Sequence, residues 1–304
     1  MPVKPLAGSL VVDLTRYLPG PFASRELLRL GARVVRLEAP GGDPLAELAP
    51  AWHEALNAGK ESVELDLKAD PEAGRALCAG ADVLLESFRP GVVERLGIGP
   101  ADLPDRVVYC SFTGFGPRDL RAGHDLNYQG WAGLLADTAP AMPPVQVADL
   151  AGGALPAVAQ ILAALLERER TGVGGHLVLS LTHGAHELAA HRLGGEPIPR
   201  LLTGGLACYR IYATADGRHL TVAALEPRFF HRLCELLGRP ELAERQWKPE
   251  QEPLADELAG AFAAKPLATW LELFDDEDVS VGPVATLEEA AAQLKRSPSA
   301  AGSA

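Results

Sequence analysis

Three side chains that can transfer protons lie beside sequence features that are typical of ligand-binding sites. His124 lies in the polar run Gly123–Tyr128, and histidine gains and loses a proton near neutral pH. Asp149 precedes a predicted helix with two adjacent glycines, so its carboxyl could cap that helix, act as an acid or base, or attack as a nucleophile. Glu226 follows a predicted strand, where starting a helix is the simpler role. These residue types indicate proton transfer or nucleophilic chemistry, and a structural role stays open for each.

Glycine-rich and basic segments could bind an anionic ligand near these groups. The loop Ser111–Pro117 follows a predicted strand, which is where α/β sheets bind ligands, although a tight turn would explain it equally well. It contains neither GxGxxG nor GxxxxGK[ST], so NAD or ATP binding has no support. Arg89 and Arg95 flank another strand end, and Lys60 and Lys68 flank the third predicted strand. Arginine suits phosphate oxygens, whereas surface ion pairing is its more usual role.

Composition excludes several classes of protein. The chain has 304 residues, of which 47% are hydrophobic, enough for a sizeable core. Its 28 Lys and Arg against 40 Asp and Glu give a net charge of −12, which argues against a nucleic-acid partner, so any anionic ligand needs a local cluster of donors. No apolar run approaches about 20 residues and the start lacks a signal-peptide pattern, so we expect no membrane partner. The widely spaced cysteines predict buried free thiols and a cytoplasmic location: Cys78, Cys110, Cys208 and Cys234.

The hydrophobic pattern predicts an α/β fold with two domains. Apolar runs at 10–14, 34–37, 63–67, 83–85 and 107–112 alternate with helical segments, which favours βαβ units and a mainly parallel sheet. The most strongly helical segment covers 151–170, and a turn at Asp216-Gly217 predicts a hairpin between 209–212 and 220–223. We therefore predict a Rossmann-like large domain over 1–193, a linker over 194–206, a smaller α+β domain over 207–290 and a flexible tail over 291–304.

These segments, in this order, resemble the family III CoA-transferases, closest to their α-methylacyl-CoA racemase branch. The similarity runs from about Leu6 to about Pro283 and is carried by short segments: Val12–Leu14, Gly20-Pro21, Leu30–Glu38, Gly59-Lys60, Leu65–Lys68, Phe88–Gly91 and Gly114–Gly116. The resemblance implies the family III CoA-transferase fold, an acyl-CoA substrate, and an interlocked homodimer whose sites draw on both chains. It implies no metal and no cofactor beyond the CoA moiety of the substrate.

The resemblance also implies roles for individual residues. His124 stands in the racemase segment, Asp149 in the position of the acid shared with the transferases, and Glu226 in a segment that supplies a further acid. His124 and Asp149 would then flank the α-carbon of an acyl-CoA, with Glu226 assisting His124 and backbone N–H groups near Gly152 stabilising an enolate oxygen. The implied CoA contacts are Leu65, Asp66, Leu67, Lys68, Ser87, Phe88, Arg89, Arg95, Gly123, Asp125, Leu126, Asn127 and Tyr128.

The chain departs from the family pattern at three places. Ala39 and Ala58 replace residues that are often basic, which bears on affinity for the adenosine phosphates. The sequence ends at Ala304, before the usual C-terminal return onto the first domain, so we expect an altered dimer topology. The leading hypothesis is an acyl-CoA racemase of fatty acid metabolism that interconverts 2-methylacyl-CoA epimers by 1,1-proton transfer through an enolate. The alternatives are CoA transfer between carboxylic acids through an aspartyl-CoA thioester on Asp149, and a non-catalytic CoA-binding homologue.

Overall fold

The chain divides into two compact units. The computed structural model describes residues 3–195 and 200–296, and the units comprise residues 1–190 and 191–304. Part of the predicted linker, 196–199, and part of the predicted tail, 297–304, lie outside the described residues. The mixed α/β architecture confirms the predicted fold class.

Unit 1 is built on a parallel sheet. Its strands within residues 3–195 pair in the order β3-β2-β1-β4-β5-β6. They are β1 (Leu10–Asp13), β2 (Arg33–Glu38), β3 (Glu61–Glu64), β4 (Val83–Glu86), β5 (Val108–Thr113) and β6 (His176–Ser180). The order reverses between β1 and β4, and doubly wound sheets bind ligands beyond the carboxyl ends of the strands at such a point. The loops that follow β1 and β4 are therefore placed to form a site.

Helices connect these strands and cover the sheet. They are α1 (Pro19–Arg29), α2 (Pro44–Leu48), α3 (Pro50–Asn57), α4 (Pro71–Gly80), α5 (Val92–Arg95), α6 (Asp125–Trp131), α7 (Val147–Asp149), α8 (Leu155–Thr171) and α9 (Leu181–Glu187). Asp43 and Asp70 cap α2 and α4 by accepting backbone N–H bonds, and a proline opens each of these helices. The apolar faces of α1 and α8 meet the buried strands in one core, which includes Val11, Val108 and Ile161.

A buried polar network ties α1 and α3 to the end of β1. The Lys60 side chain is fully buried and donates to the Pro21 carbonyl, the Ser24 hydroxyl and the Asn57 amide oxygen, each at 2.8 Å. Its Nζ lies 3.9 Å from the Asp13 carboxylate. Burial lowers the pKa of Lys60 to about 8. Lys60 thus organises the protein interior, and its ammonium is not available to an external phosphate.

One long helical segment, residues 147–171, joins α7 to α8 through a π-helical turn at Leu150–Ala154. Its length and mean hydropathy of 1.6 would suffice to cross a membrane. Its inner face, including Ala157, Ile161 and Leu165, packs into the core of unit 1. The π-helical turn directly follows Asp149. Such turns occur frequently at functional sites.

Unit 2 combines an antiparallel sheet with helices. Within residues 200–296 the strand order is β7 (Tyr209–Ala213), β8 (His219–Ala223) and β9 (Val281–Pro283). Along the chain, α10 (Ala190–Leu193) precedes the sheet, and α11 (Pro227–Leu236), α12 (Glu252–Phe262), α13 (Leu267–Phe274) and α14 (Leu287–Arg296) follow β8 or β9. The predicted hairpin and the helices after it are present. Their core includes Phe230, Phe262 and Trp270.

The end of the third strand and the start of the tail differ from the prediction by more than a residue or two. The third strand ends at Glu64 instead of Leu67, because the Asp66 carboxylate accepts the Lys68 N–H at 2.8 Å and turns the chain out of the sheet. The predicted tail begins with six helical residues, 291–296, because α14 has a reciprocal cap. Thr286 N–H donates to the Glu289 carboxylate at 2.8 Å, and Glu289 N–H donates to the Thr286 hydroxyl at 3.2 Å.

Candidate active site

His124 and Asp149 line the same cavity of unit 1. This cavity, which we call the acyl cavity, has a volume of about 550 Å³. It is enclosed by the loops after β1, β4 and β5 and by the start of α6. Its wall also contains Ser87, Phe88, Arg89, Gly123 and Tyr128, all predicted as site residues. The structure therefore brings the two proposed proton carriers together with part of the predicted binding segment.

His124 is held by the backbone at the start of α6. Its N–H donates to the Asn127 side-chain oxygen at 3.1 Å, and its carbonyl accepts the N–H groups of Asn127 and Tyr128. The imidazole is exposed to the cavity and meets the Tyr17 ring edge-on, with ring centroids 5.9 Å apart. Tyr17 has a φ of 67°, an unfavourable backbone conformation for a tyrosine. Such strain concentrates at functional sites, which supports this end of the cavity as one.

Asp149 is largely removed from water and stands beside a second carboxyl. Its backbone N–H donates to Asp125 Oδ1 at 2.9 Å, and Asp125 Oδ2 accepts the Gln129 amide at 2.5 Å. Burial, and secondarily the negative charge of Asp125, raise the pKa of Asp149 to about 7. A carboxyl with this pKa can take up or release a proton at physiological pH.

Replacing Asp125 with asparagine is expected to lower the pKa of Asp149. The amide keeps an oxygen for the Asp149 N–H but removes the negative charge that disfavours ionisation of Asp149. Titration of the Asp149 carboxyl carbon by NMR would measure the change. Asp119→Asn is the matched control: Asp119 lines the same cavity but is paired with Arg121 at 2.6 Å and does not contribute to the raised pKa of Asp149. An unchanged titration in Asp125→Asn would contradict this role for Asp125.

The glycines that follow Asp149 lie where two helical segments pack closely. Gly152 lies inside the continuous helical segment instead of at a helix start, and its backbone packs against α9. A Cβ at Gly152 would lie 2.6 Å from the Ala185 nitrogen, and one at Gly184 would lie 1.8 Å from the Gly152 oxygen. The glycines therefore admit the backbone of α9 and not a ligand. The expectation that N–H groups near Gly152 stabilise an enolate oxygen stays a prediction.

A second cavity of about 530 Å³ adjoins the acyl cavity. We call it the nucleotide cavity. It is lined by all four residues of the predicted segment Leu65–Lys68 and by Arg95. Arg16 and Phe88 line both cavities, so the two are neighbours along the loops after β1 and β4. A long ligand with one polar and one reactive end could occupy both.

Four cations around these cavities lack a carboxylate partner. Among the described residues, no ion pair involves Lys68 or Arg95 of the nucleotide cavity, Arg89 of the acyl cavity, or Arg16, which lines both. Guanidinium groups elsewhere are commonly paired, as in Arg33–Glu61 and Arg232–Glu277, both at 2.7 Å. In a chain with a net charge of −12, this local positive cluster is suited to a polyanionic ligand.

The remaining predicted site residues stand outside the walls of the two cavities. The Asp125 carboxyl is engaged by Asp149 and Gln129, and the Asn127 side chain by the His124 N–H, while Leu126 is exposed. Their contacts with CoA stay predictions. Glu226 is exposed at the start of α11 in unit 2, where its carbonyl accepts N–H groups of the first helical turn. Its assistance to His124 likewise stays a prediction.

Sequence reasoning missed Arg16 and Tyr17. Both follow β1 at its carboxyl end, where doubly wound sheets bind ligands. That position could have indicated Arg16 as a site residue. Nothing in the sequence indicates the positive φ of Tyr17, because the conformation depends on the surrounding structure.

Comparison with known proteins identifies the family. The model of CoA-transferase family III matches residues 6–299. Human "Alpha-methylacyl-CoA racemase" is 36% identical over 93% of this chain and 78% of its own length, and mouse "Succinyl-CoA:glutarate CoA-transferase" is 32% identical over 94% and 73%. The crystal structure of Rv3272 from Mycobacterium tuberculosis superposes with a TM-score of 0.83 at 32% identity, covering 99% of this chain and 87% of that one. The chain belongs to CoA-transferase family III, whose members here include both racemases and CoA-transferases.

Proposed function

We propose that the protein is an acyl-CoA racemase or epimerase that interconverts the epimers of a 2-methylacyl-CoA by 1,1-proton transfer. The observation that carries the proposal is that His124 and Asp149 line one cavity and that a neighbouring cavity holds cations with no ion pair among the described residues. The similarity to α-methylacyl-CoA racemases supports it further.

The proposed reaction needs a proton carrier on each face of one carbon. The thioester carbonyl acidifies the adjacent C–H, and loss of that proton gives a planar enolate. If one group removes the proton and a second group, already protonated, delivers one to the opposite face, the centre inverts. Imidazole and a carboxyl with a pKa near 7 can each serve as base or acid at neutral pH. His124 and Asp149 therefore suit reaction in both directions.

The CoA moiety is proposed to lie across both cavities. Its adenosine phosphates would occupy the nucleotide cavity near Lys68 and Arg95, and its pantetheine arm would pass Arg16 and Phe88 toward the acyl cavity. Among the described residues, none of these cations is in an ion pair that a phosphate would have to displace.

Replacing Arg16 or Arg95 with alanine is expected to weaken CoA binding by roughly five- to tenfold each, because each removes a charge-assisted contact with a phosphate. Calorimetric titration with CoA measures the affinity, and the loss should shrink as salt is added. Arg33→Ala is the control, since Arg33 is an exposed residue paired with Glu61 away from both cavities. Equal affinity in all three variants and the wild type would rule out this mode of binding.

CoA transfer between carboxylic acids is the second candidate. It is favoured by the similarity to CoA-transferases and by the position of Asp149 on the acyl cavity, where its carboxylate could carry CoA as a thioester. Transfer needs no base at position 124. The exposed imidazole of His124 on the same cavity therefore favours proton transfer at the α-carbon. A non-catalytic CoA-binding role is the third candidate.

Incubation with a 2-methylacyl-CoA in D₂O separates the three. Racemisation predicts deuterium at the α-carbon, followed by NMR, without any second carboxylic acid. Transfer predicts no exchange but a new acyl-CoA when a second carboxylic acid is added. CoA binding without either reaction would indicate the non-catalytic role. Absence of exchange with intact CoA binding would overturn the proposed function.

We further propose that the protein acts as a homodimer and that Glu226 assists His124 in orientation or proton relay; both proposals rest on the family resemblance. We also propose a cytoplasmic location, which rests on the spacing of the cysteines, all four of which are buried and free. Sedimentation or light scattering would measure the oligomeric state. We expect the molecular mass of a dimer of this chain, and the mass of a monomer would contradict the proposal.

A further inference from the structure

A group of polar side chains that the proposed chemistry does not use lies beside the acyl cavity. Glu86, Ser111 and His176 come from three adjacent strands, β4, β5 and β6, and Glu86 and Ser111 are partners in the register of their strands. The Ser111 hydroxyl lies 2.9 Å from His176 Nε2, and all three residues line a small cavity of about 180 Å³. This cavity shares Phe88 and Arg89 with the acyl cavity.

Glu86 connects this group to the chain that forms the binding site. Glu86 is only 5% exposed, and its Oε2 accepts the backbone N–H of Phe88 at 2.8 Å. Phe88 belongs to the loop 87–90 after β4, which supplies lining residues to both the nucleotide and the acyl cavity. The loop itself is largely exposed, so its hydrogen bond to the buried Glu86 carboxylate restrains its backbone conformation.

Glu86 has further polar neighbours. Burial raises the pKa of Glu86, and hydrogen bonding from the Ser111 side chain and from the Phe88 N–H lowers it in part. The Ser111 hydroxyl is bonded to His176, which is packed edge-on against Tyr109 with ring centroids 5.2 Å apart. A buried carboxyl is costly unless its hydrogen bonds are made, so the bond to the Phe88 N–H holds Glu86 and the loop together.

We propose that Glu86 is a positioning residue for the acyl-CoA site: its buried carboxyl, which lies beside Ser111, accepts the Phe88 N–H and fixes the loop 87–90 so that Phe88 and Arg89 meet the CoA moiety. The proposal rests on the proposed function in assuming CoA as the ligand. Because Glu86 does not line the acyl cavity, its effect falls on binding and not on proton transfer at the α-carbon.

Glu86→Ala is expected to weaken CoA binding about tenfold and to raise KM for the acyl-CoA similarly, with kcat within about twofold of wild type. Glu86→Gln should restore the affinity to within about threefold, because its amide oxygen can accept the Phe88 N–H and its NH₂ can reach Ser111. A merely structural role would lower activity and stability together without this split.

Calorimetric titration with CoA itself measures the affinity of each variant. Val178→Ala is the matched control, since Val178 lines the same small cavity but is exposed, uncharged and without a contact to the loop 87–90 among the described hydrogen bonds. Should Glu86→Ala fail to fold, Ser111→Ala, which removes one support of the carboxyl, carries the test with an expected loss of about threefold. Wild-type affinity in the folded Glu86→Ala or Ser111→Ala variant would overturn the proposal.

The outcome is separable from that of the proposed function. A wild-type protein that binds CoA but exchanges no α-proton would remove the racemase proposal, and a loss of CoA affinity in Glu86→Ala would still support the positioning role. Normal exchange in the wild type together with unaltered CoA affinity in Glu86→Ala would remove the positioning role alone.

Discussion

Replacing Asp149 with asparagine is expected to reduce epimer interconversion by about a thousandfold or more. The amide is nearly isosteric with the carboxyl but cannot take up or deliver the proton, and one remaining proton carrier cannot invert the centre. CoA affinity should stay close to that of the wild type, because Asp149 lines the acyl cavity and not the nucleotide cavity. The rate of interconversion of a pure epimer, followed by chiral chromatography, measures the effect. Interconversion within about tenfold of wild type would contradict the assignment.

The same substitution is expected to stabilise the protein above neutral pH. The pKa of Asp149 is about 7 in the folded chain, whereas an aspartate in an unfolded chain has a pKa of about 3.9. The folded chain therefore holds a proton that the unfolded chain releases, so the free energy of unfolding falls as pH rises between these two values. At about 1.4 kcal/mol per pKa unit, the ionised carboxyl costs up to about 4 kcal/mol at about pH 8, and asparagine removes that cost.

Urea unfolding at about pH 5 and about pH 8 measures this difference. The gain in Asp149→Asn should be larger at the higher pH. Asp275→Asn is the matched control, since Asp275 is exposed at the end of α13 and should change the free energy of unfolding by less than about 0.5 kcal/mol. A loss of stability in Asp149→Asn at about pH 8 would show that the carboxyl is stabilising where it lies.

Replacing Gly184 with alanine is expected to destabilise unit 1 by about 3 kcal/mol or more. Its Cβ would lie 1.8 Å from the Gly152 carbonyl oxygen, and both are backbone positions that cannot rotate away. Relief would require α9 to move from the π-helical turn that follows Asp149. We therefore expect the remaining folded fraction to lose activity as well.

Gly130→Ala is the control for Gly184→Ala. Gly130 lies in α6, and a Cβ there would meet nothing within 4 Å. Alanine is the better helix former, so the free energy of unfolding should rise by up to about 1 kcal/mol. Urea unfolding of the two variants tests the contrast. Equal stabilities would show that the close approach of α9 relaxes at little cost.

Much of the framework follows from sequence pattern. Buried strands such as β1 and β4 are continuous apolar runs, and α4 lies between Asp70 and Gly80 because a cap, a proline and the apolar spacing agree. Strand β6 was not predicted, since its short segment His176–Ser180 is partly exposed at the sheet edge and carries a polar residue at each end. The end of β3 was misplaced because the turn at Asp66 depends on a side-chain bond that alternation of hydrophobicity does not reveal.

The candidate site was predictable in part. Residue types and family resemblance led to His124, Asp149 and the segment Leu65–Lys68, and the structure puts all of them on two neighbouring cavities. The hydrogen bonds that hold these residues in place were not predictable. Asp125 was expected to contact CoA, but its carboxyl holds the Asp149 N–H, a contact between residues 24 positions apart that only the fold creates.

Epimer-specific exchange in D₂O tests the central claim most directly. Each pure epimer of a 2-methylacyl-CoA would be given to the wild type, to His124→Ala and to Asp149→Asn, and α-deuterium would be measured in recovered substrate and in product. We predict that the wild type exchanges both epimers, that each variant still exchanges only the epimer whose hydrogen faces the surviving group, and that neither variant inverts the centre. Exchange of the same epimer by both variants, or inversion by either, would contradict the assignment of His124 and Asp149 to opposite faces.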